Sequence, residues 1–148
     1  REGGNEDFFM NILIIDAQGG GMGRQLVASV KKEFPKAEVG AVGTNSLAAS
    51  NMLKAGADYA ATGENAVIVG CRRADVIIGP VGIAIADSMH GEITPVMAAA
   101  VGQSEAWKLL IPMNQCRNVI VGVKNVSMSS MLEAVIEQLK EYAKGDAC

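Results

Sequence analysis

The chain has 148 residues, of which 49% are hydrophobic and only 4% aromatic, and its formal net charge is −3. This length and apolar content predict one domain with a full hydrophobic core, and the acidic balance gives no field that would attract nucleic acid. No apolar run approaches the ~20 residues of a membrane helix, and the polar first residues contain no signal peptide, so we expect no membrane partner.

Three cysteines, Cys71, Cys116 and Cys148, are unevenly spaced and form no C-x-x-C pair. This pattern fits a reducing cytoplasm better than a disulfide scaffold. Residues 1–9 include a flexible polar stretch, and the pattern of the domain begins at Met10. We therefore interpret residues 1–9 as a disordered extension or an artificial remnant, and residues 10–145 as a single domain.

The first predicted element is a buried strand, Ile12–Ile15, because its short apolar and β-branched run is typical of a central parallel strand. A glycine-rich turn, Gly19–Gly23, follows, and it leads into a helix that ends before Pro35. The apolar face of that helix consists of Met22, Leu26, Val27, Val30 and Phe34. The helix would direct its free N–H groups at whatever lies above the turn, and such groups favour an anion such as phosphate.

The next predicted unit is a second strand over Glu38–Val42, followed by a helix that runs through Lys54. Thr44 or Asn45 can cap the amino end of this helix. A short third strand is predicted over Asp58–Ala61.

Ala66–Cys71 has strand propensity, but a parallel sheet needs a crossover at this point, so we predict a helix that runs to Arg73 and that Thr62 could cap. Asp75–Ile78 is predicted as the fourth buried strand. A further helix follows, for which Thr94 is the cap and Pro95 the first residue.

Lys108–Ile111 is predicted as the fifth strand, and Asn118–Val123 as a sixth, which a short connection would make antiparallel. Ser130 and Glu133 form a capping-box pattern at the start of the last helix. The alternation of strands and helices indicates the α/β class. We expect a single three-layer Rossmann-like domain, with a mostly parallel sheet of five or six strands and helices on both faces.

The loops at the carboxyl edge of this sheet are rich in Gly, Thr, Ser and Asn, whereas those at the opposite edge are ordinary connections. Because open parallel sheets bind ligands beyond the carboxyl ends of their strands, we predict a polar pocket for a small anionic ligand at this edge. The alternative is that turns favour these residues in any protein. The loops are Asp16–Gly23, Gly43–Ser46, Thr62–Asn65, Gly79–Gly82 and Pro112–Cys116.

The glycine turn matches the dinucleotide fingerprint G-x-G-x-x-G imperfectly. The best register places Gln18, Gly20 and Gly23 at the three glycine positions. The second strand ends in Gly43–Ser46, without the carboxylate that would bind a ribose hydroxyl or the arginine that would bind a 2′-phosphate. A nucleotide or phosphorylated metabolite is therefore favoured over an intact dinucleotide site, and a turn that serves only tight packing is the alternative.

The candidate ligand contacts are residues of these loops and of the helical turn that follows the glycines. Arg24, in that first helical turn, is placed to pair with a phosphate. The candidates are Asp16, Gln18, Gly19, Gly20, Gly21, Met22, Gly23, Arg24, Thr44, Asn45, Ser46, Glu64, Asn65, Gly79, Pro80 and Asn114. No group of residues has the composition and spacing of a metal site.

Four side chains are weak candidates for catalysis. His90, the single histidine, has carboxylates nearby in sequence and could act as an acid or base, although a loop histidine is more often solvated. Cys116 would need a base or a helix amino terminus to lower its thiol pKa. Asp16 follows the first strand and Glu64 follows the third, and neighbouring strand ends could bring them into one pocket to bind ribose hydroxyls or transfer a proton. Asp16 could instead cap its own turn. Cys71 is interpreted as a core residue.

Six strings of residues in this sequence together form a specific pattern. They are Ile14–Gln25, Gly43–Ser46, Thr62–Ala66, Cys71–Pro80, His90–Pro95 and Pro112–Cys116. In these strings the chain, from about Met10 to Val123, resembles a family of small bacterial proteins known only as domain of unknown function 3842. The resemblance implies a bacterial cytoplasmic protein and brings no activity, substrate or catalytic residue with it.

Three functions are compatible with the sequence. The favoured one is a Rossmann-like domain that binds a nucleotide, a dinucleotide or another phosphorylated small molecule. The second is a small oxidoreductase or transferase that uses Asp16, Glu64, His90 or Cys116. The third is a non-catalytic oligomeric module with an interface in the apolar region Val81–Val101. Because pockets often form between subunits, the first and third are compatible, and we expect a homo-oligomer.

Overall fold

The computed structural model describes residues 8–113 and 117–145, which form a parallel five-stranded sheet in the order β3-β2-β1-β4-β5. The strands are β1 Asn11–Asp16, β2 Glu38–Gly43, β3 Tyr59–Thr62, β4 Val76–Pro80 and β5 Trp107–Ile111. The helices are α1 Gly21–Glu33, α2 Ser46–Lys54, α3 Glu64–Arg73, α4 Pro95–Gln103 and α5 Met128–Ala143. A 3₁₀ turn, Val81–Ala84, follows β4 directly. This confirms the predicted Rossmann-like α/β class.

Helices cover both faces of the sheet, because successive residues of a buried parallel strand point to opposite sides. Ile12 and Ile14 of β1 pack in one core with residues of α1, α2 and α5. Leu13 and Ile15 pack in a second core with residues of α3 and α4. The near-continuous apolar run of β1 therefore has a partner on each side, as the central position of the strand requires.

The direction of the chain across the sheet reverses between β1 and β4. Strands β2 and β3 lie on one side of β1, and β4 and β5 lie on the other. Their carboxyl ends meet at one edge, where Asp16 is in register with Gly43 of β2. Such a reversal leaves a crevice between the loops that follow the two central strands.

The ambiguous segment before β4 is helix α3, as predicted, but Thr62 does not cap it. Thr62 is the last residue of β3, and Gly63, whose φ is +96°, occupies the N-cap position without a side-chain hydrogen bond. By contrast, Asn45 caps α2, and Thr94 caps α4 with Pro95 in its first turn, as expected.

Two predictions near the carboxyl terminus are wrong. Asn118–Val123 forms no strand, so the described sheet has five strands rather than six. Helix α5 begins at Met128, and Ser127 caps it by accepting a hydrogen bond from Ser130 N. The predicted capping box at Ser130 therefore lies inside the helix rather than at its start.

Part of the segment interpreted as an extension contacts the α/β domain. The ring of Phe8 packs edge-to-face on Tyr142 of α5, with ring centroids 6.4 Å apart. Met10 is buried in the core between the sheet and α1.

Candidate functional site

The glycine turn forms the junction between β1 and α1. The N–H of Gly20 donates to Ala17 O at 3.0 Å, and Gly20, in the left-handed conformation with φ +70°, is the N-cap of α1. The N–H of Arg24 donates to Gly20 O at 2.9 Å and starts the helical hydrogen bonds. Within residues 8–113 and 117–145, the N–H groups of Gly21 and Met22 have no acceptor. The first turn of α1 therefore retains two free donors.

A cavity of about 150 Å³ lies against this turn, in the crevice between β1 and β4. Among the predicted ligand contacts, it is lined by Asp16, Gln18, Gly19, Gly20, Gly21, Met22 and Pro80. Met89 and Met113, which the sequence did not mark as ligand contacts, close its other side. The residues with free backbone donors and two methionines thus line the same small pocket at the carboxyl edge of the sheet.

Asp16 is buried, with 6% of its surface exposed, and its carboxylate is used inside the turn. One carboxylate oxygen accepts from Ala17 N at 2.8 Å, and the other accepts from Gly23 N at 2.7 Å. Burial raises the pKa of Asp16 above its ordinary value. The two backbone hydrogen bonds lower this pKa in part, and the negative charge of Glu92 raises it further. Asp16 therefore holds β1 to α1, which is the capping role named as its alternative.

The glycines of the turn fall into two groups. A Cβ atom on Gly20 would lie 2.7 Å from Ala48 Cα, and one on Gly23 would overlap the sulfur of Met52. These two glycines are needed for close packing on α2. A Cβ on Gly19 or Gly21 would meet no atom within 4 Å, so the described fold does not require glycine at either position.

Side chains from three other elements hold the turn in place. Asn45 Nδ2 donates to Gln18 O at 2.8 Å, and Asn51 Nδ2 of α2 donates to Gly19 O at 2.7 Å. The N–H of Gln18 donates to Glu92 Oε1 at 3.0 Å. Because both backbone polar groups of Gln18 are satisfied in this way, the turn is fixed without a ligand.

Glu92 is the site residue that sequence reasoning missed. Its Oε1 also accepts from Thr44 Oγ1 at 2.6 Å and from Asn45 Nδ2 at 2.8 Å, at the end of β2. The hydrogen bond from Thr44 is the main cause that lowers the pKa of Glu92 below its ordinary value. Thr44 and Asn45, both predicted as ligand contacts, are thus engaged by a carboxylate of the same chain.

The loop that carries Glu92 is held in place by two buried side chains. Met89 and Ile93 are buried in the core beside α4, while His90 between them is exposed. Met89 and His90 take left-handed conformations with φ +55° and +57°, and Asp87 has φ +64°. The left-handed residues and the two buried side chains together direct the loop so that Glu92 lies at the end of β2.

The other predicted contacts lie outside the cavity. Glu64 is exposed at the start of α3 and accepts a hydrogen bond from Thr94 Oγ1 at 2.6 Å. Arg24, Ser46 and Asn65 are exposed. A Cβ on Gly79 would lie 2.5 Å from Ile15 O, so this glycine serves strand packing. Asn114 and Cys116 lie outside the described residues.

No pair of the candidate catalytic groups is brought together within the described part of the chain. Asp16 is bonded to backbone, Glu64 to Thr94, and His90 has no hydrogen bond there. The same residues contain no cluster of three or more His, Cys, Asp or Glu side chains that could hold a metal ion. Among them there is also no helix both long and apolar enough to cross a membrane.

A larger cavity, of about 580 Å³, lies in the groove between α3 and α4, away from the strand ends. It is lined mainly by apolar side chains, and the hydroxyl of Ser104 at its edge already donates to Cys71 O at 2.7 Å. Cys71 is buried, as expected, and burial raises the pKa of its thiol to about 11. This groove shares no lining residue with the cavity at the glycine turn.

The fold and the cavity at the strand reversal define a Rossmann-like α/β domain with a pocket on its first strand–helix turn. The chain belongs to the family described as Domain of unknown function (DUF3842), whose model matches residues 11–144. No curated protein matches it.

One similar solved structure is the crystal structure of a dodecameric FMN-dependent Ubix-like decarboxylase from Escherichia coli O157:H7. The two chains are 16% identical, with a TM-score of 0.47, and the match covers 88% of this chain and 76% of that one. At this level of similarity the likeness implies nothing about a ligand of the present chain.

Proposed function

We propose that this protein binds a nucleotide or another phosphorylated small molecule at the amino end of α1. The observation that carries the proposal is the pair of free N–H groups on Gly21 and Met22, which border the cavity at the end of β1. Two such donors, with the positive end of the helix dipole behind them, favour a bound anion.

The unused space around Gly19 and Gly21 supports the same proposal. Neither residue needs to be glycine for packing, since an added Cβ would meet no atom within 4 Å. Glycine at these two positions lets a ligand approach the backbone closely. Arg24, exposed in the following turn and without an ion pair to the described residues, is available to a phosphate.

The test is a thermal-shift screen of the purified full chain with inorganic pyrophosphate, nucleoside diphosphates and dinucleotides. A bound probe at a hundredfold excess over its Kd stabilises the folded state by ~2.7 kcal/mol. The variant Gly21→Val fills the space above the turn and should abolish the shift while leaving the melting temperature without ligand nearly unchanged.

The matched control is Gly102→Val, because an added Cβ on Gly102 in α4 also meets no atom within 4 Å. It should keep the full ligand shift. A Gly21→Val protein that binds as tightly as the wild type would show that the site is not on this turn.

The candidate acid–base side chains lie apart from one another, and this favours binding without turnover over the enzyme hypothesis. The enzyme hypothesis requires two of Asp16, Glu64, His90 and Cys116 to share one cavity. Of the three that are described, only Asp16 lines the glycine-turn cavity, and both of its oxygens accept backbone hydrogen bonds.

We also propose that the chain self-associates, through a surface different from the one predicted. Five of the eight large apolar side chains of Val81–Val101, such as Ile83, Met97 and Val101, are buried in the chain's own core. Of the nine exposed large hydrophobic side chains among the described residues, four lie in the segment between β5 and α5. They are Val119, Val121, Val123 and Val126, with Val121 92% exposed.

Sedimentation velocity tests self-association. Val121→Lys should shift the protein from oligomer to monomer, because it places a charge at the most exposed of these four valines. Val96→Lys changes an exposed valine of α4 within the originally predicted region and should leave the oligomer intact. A wild-type monomer at high concentration would contradict the proposal.

A further inference from the structure

The carboxylate of Glu92 lies at the end of β2, where dinucleotide-binding sheets usually carry an acidic residue from the second strand itself. In dinucleotide-binding sheets an acidic residue follows the second strand and accepts hydrogen bonds from a ribose. Here β2 is followed by Thr44 and Asn45, and the chain supplies no carboxylate locally. The loop between β4 and α4 instead brings Glu92 to this point, with its Oε1 2.6 Å from Thr44 Oγ1.

The two oxygens of this carboxylate differ. Oε1 accepts three hydrogen bonds, from Gln18 N, Thr44 Oγ1 and Asn45 Nδ2, at 2.6–3.0 Å. These bonds saturate Oε1 and fix the orientation of the whole group. Oε2 accepts no hydrogen bond from the described residues. An ionised carboxylate oxygen with free lone pairs is therefore held in a fixed direction at the rim of the sheet.

Glu92 is also directly linked to the glycine turn. Gln18, whose N–H it binds, lies three residues before Gly21, where the free donors of α1 begin. In a nucleotide the ribose is joined to the phosphate through one ester linkage. Because Gln18 connects the glycine turn to Glu92, the ribose of a nucleotide whose phosphate lies at Gly21 is expected near the end of β2.

We propose that Glu92 is the ribose-binding residue of this site, and that its free oxygen accepts hydrogen bonds from the hydroxyls of a ribonucleotide. This inference rests on the proposed function, because it needs a phosphate at the amino end of α1. It narrows the ligand class to nucleotides with an unmodified 2′-hydroxyl. A 2′-deoxyribose lacks one donor, and a 2′-phosphate would place a second negative charge against the carboxylate.

The experiment compares the affinities of ADP and 2′-deoxy-ADP by calorimetry, with GDP and 2′-deoxy-GDP as a second pair because the structure names no base. A hydrogen bond to a charged group accounts for at least about a tenfold difference in affinity. Wild-type protein should therefore prefer the ribonucleotide of either pair by about tenfold. The variant Glu92→Gln should reduce this preference to about twofold or less, mainly by weakening the ribonucleotide.

The matched control is Asp87→Asn, which removes a charge from the same loop at an exposed side chain. It should keep the preference for the ribonucleotide. The comparison within the wild-type protein does not depend on any variant being folded, so equal affinities of the ribo and deoxy forms overturn the inference directly.

Inorganic pyrophosphate separates the failure of this inference from the failure of the proposed function. If pyrophosphate and ADP both bind and the deoxy form binds equally well, the anion site stands and the role of Glu92 is overturned. If neither pyrophosphate nor any nucleotide binds, both proposals fail together. A Glu92→Gln protein that binds all probes more tightly would show that Glu92 competes with the ligand, which also overturns the inference.

Discussion

The carboxylate of Asp16 accepts a 2.7 Å hydrogen bond from the backbone N–H of Gly23, and this contact joins the end of β1 to the first turn of α1. The same side chain accepts from Ala17 N with its other oxygen. A buried acid that would otherwise oppose folding thus satisfies two backbone donors. Asp16 shapes the pocket, and the free donors that remain are those of Gly21 and Met22.

Asp16→Asn is expected to destabilise the fold although it removes a buried charge. An amide has only one oxygen, so its NH₂ group would face one of the two N–H donors and leave it unsatisfied. Such a loss costs about 1–3 kcal/mol, to be measured as the free energy of unfolding in urea. Asp87→Asn, at an exposed position of the loop between β4 and α4, should change this free energy little. Equal stability of Asp16→Asn and the wild type would mean that the burial of charge outweighs the hydrogen bonds.

Substitutions in the glycine turn should separate packing from ligand approach. Gly20→Ala forces a left-handed alanine and places its Cβ 2.7 Å from Ala48 Cα, so we expect a loss of about 2–4 kcal/mol in the free energy of unfolding. Gly19→Ala adds a Cβ with no atom within 4 Å and should stay within about 0.5 kcal/mol of the wild type. Urea denaturation of the two variants without ligand decides this, and similar losses in both would contradict the packing explanation.

The order of strands and helices from β1 to α4 was predictable because each buried strand is a short apolar run between turn residues. Such runs indicate strands when their length and flanking turn residues agree, whereas the apolar run before β4 was assigned to a helix only because a parallel sheet needs a crossover there. The polar rim at the carboxyl edge followed from the same alternation, and the turn at Gly19–Gly23 was located from its sequence alone. Which of its residues are committed to the fold was not visible, since Asp16 could equally cap the turn or contact a ligand.

The failed sixth strand shows the limit of β-propensity. Asn118–Val123 is rich in valine, but propensity describes the fit of a side chain to a half-buried sheet surface rather than a preference of the backbone. Val119 and Val121 remain exposed, so the segment lacks that surface in the single chain.

Glu92 could not be assigned from the sequence, because nothing along the chain connects it with β2. It lies 48 residues after Thr44, in a loop whose path depends on the burial of Met89 and Ile93. The sequence did reveal that the end of β2 lacks a carboxylate. That missing carboxylate is the one signal in the sequence that points to an acid from a distant loop.

Cys71 should be unreactive toward thiol reagents in the folded protein. Burial raises its pKa to about 11, so at pH 8 its thiolate fraction is far below that of an ordinary cysteine. Alkylation at pH 8 followed by mass spectrometry of peptides should leave Cys71 unmodified until the chain is unfolded in urea. Labelling of Cys71 at the same rate in the folded and unfolded chain would show that its side chain is accessible.

The contribution of Glu92 to stability should depend on pH with a defined sign. Its pKa in the folded protein lies below the ordinary value of 4.5, chiefly because Thr44 donates to the ionised form. The stabilisation is therefore fully present above pH 4.5 and is lost as the pH falls through the lowered folded value. The difference in melting temperature between the wild type and Glu92→Gln should be largest near pH 7 and shrink as the pH falls below 4.5. Asp87→Asn, whose carboxylate has no hydrogen bond to the described residues, provides the reference for removing a charge from this loop. A difference for Glu92→Gln that stays constant through the acid unfolding range would show that the hydrogen bonds from Thr44, Asn45 and Gln18 do not depend on the charge of Glu92.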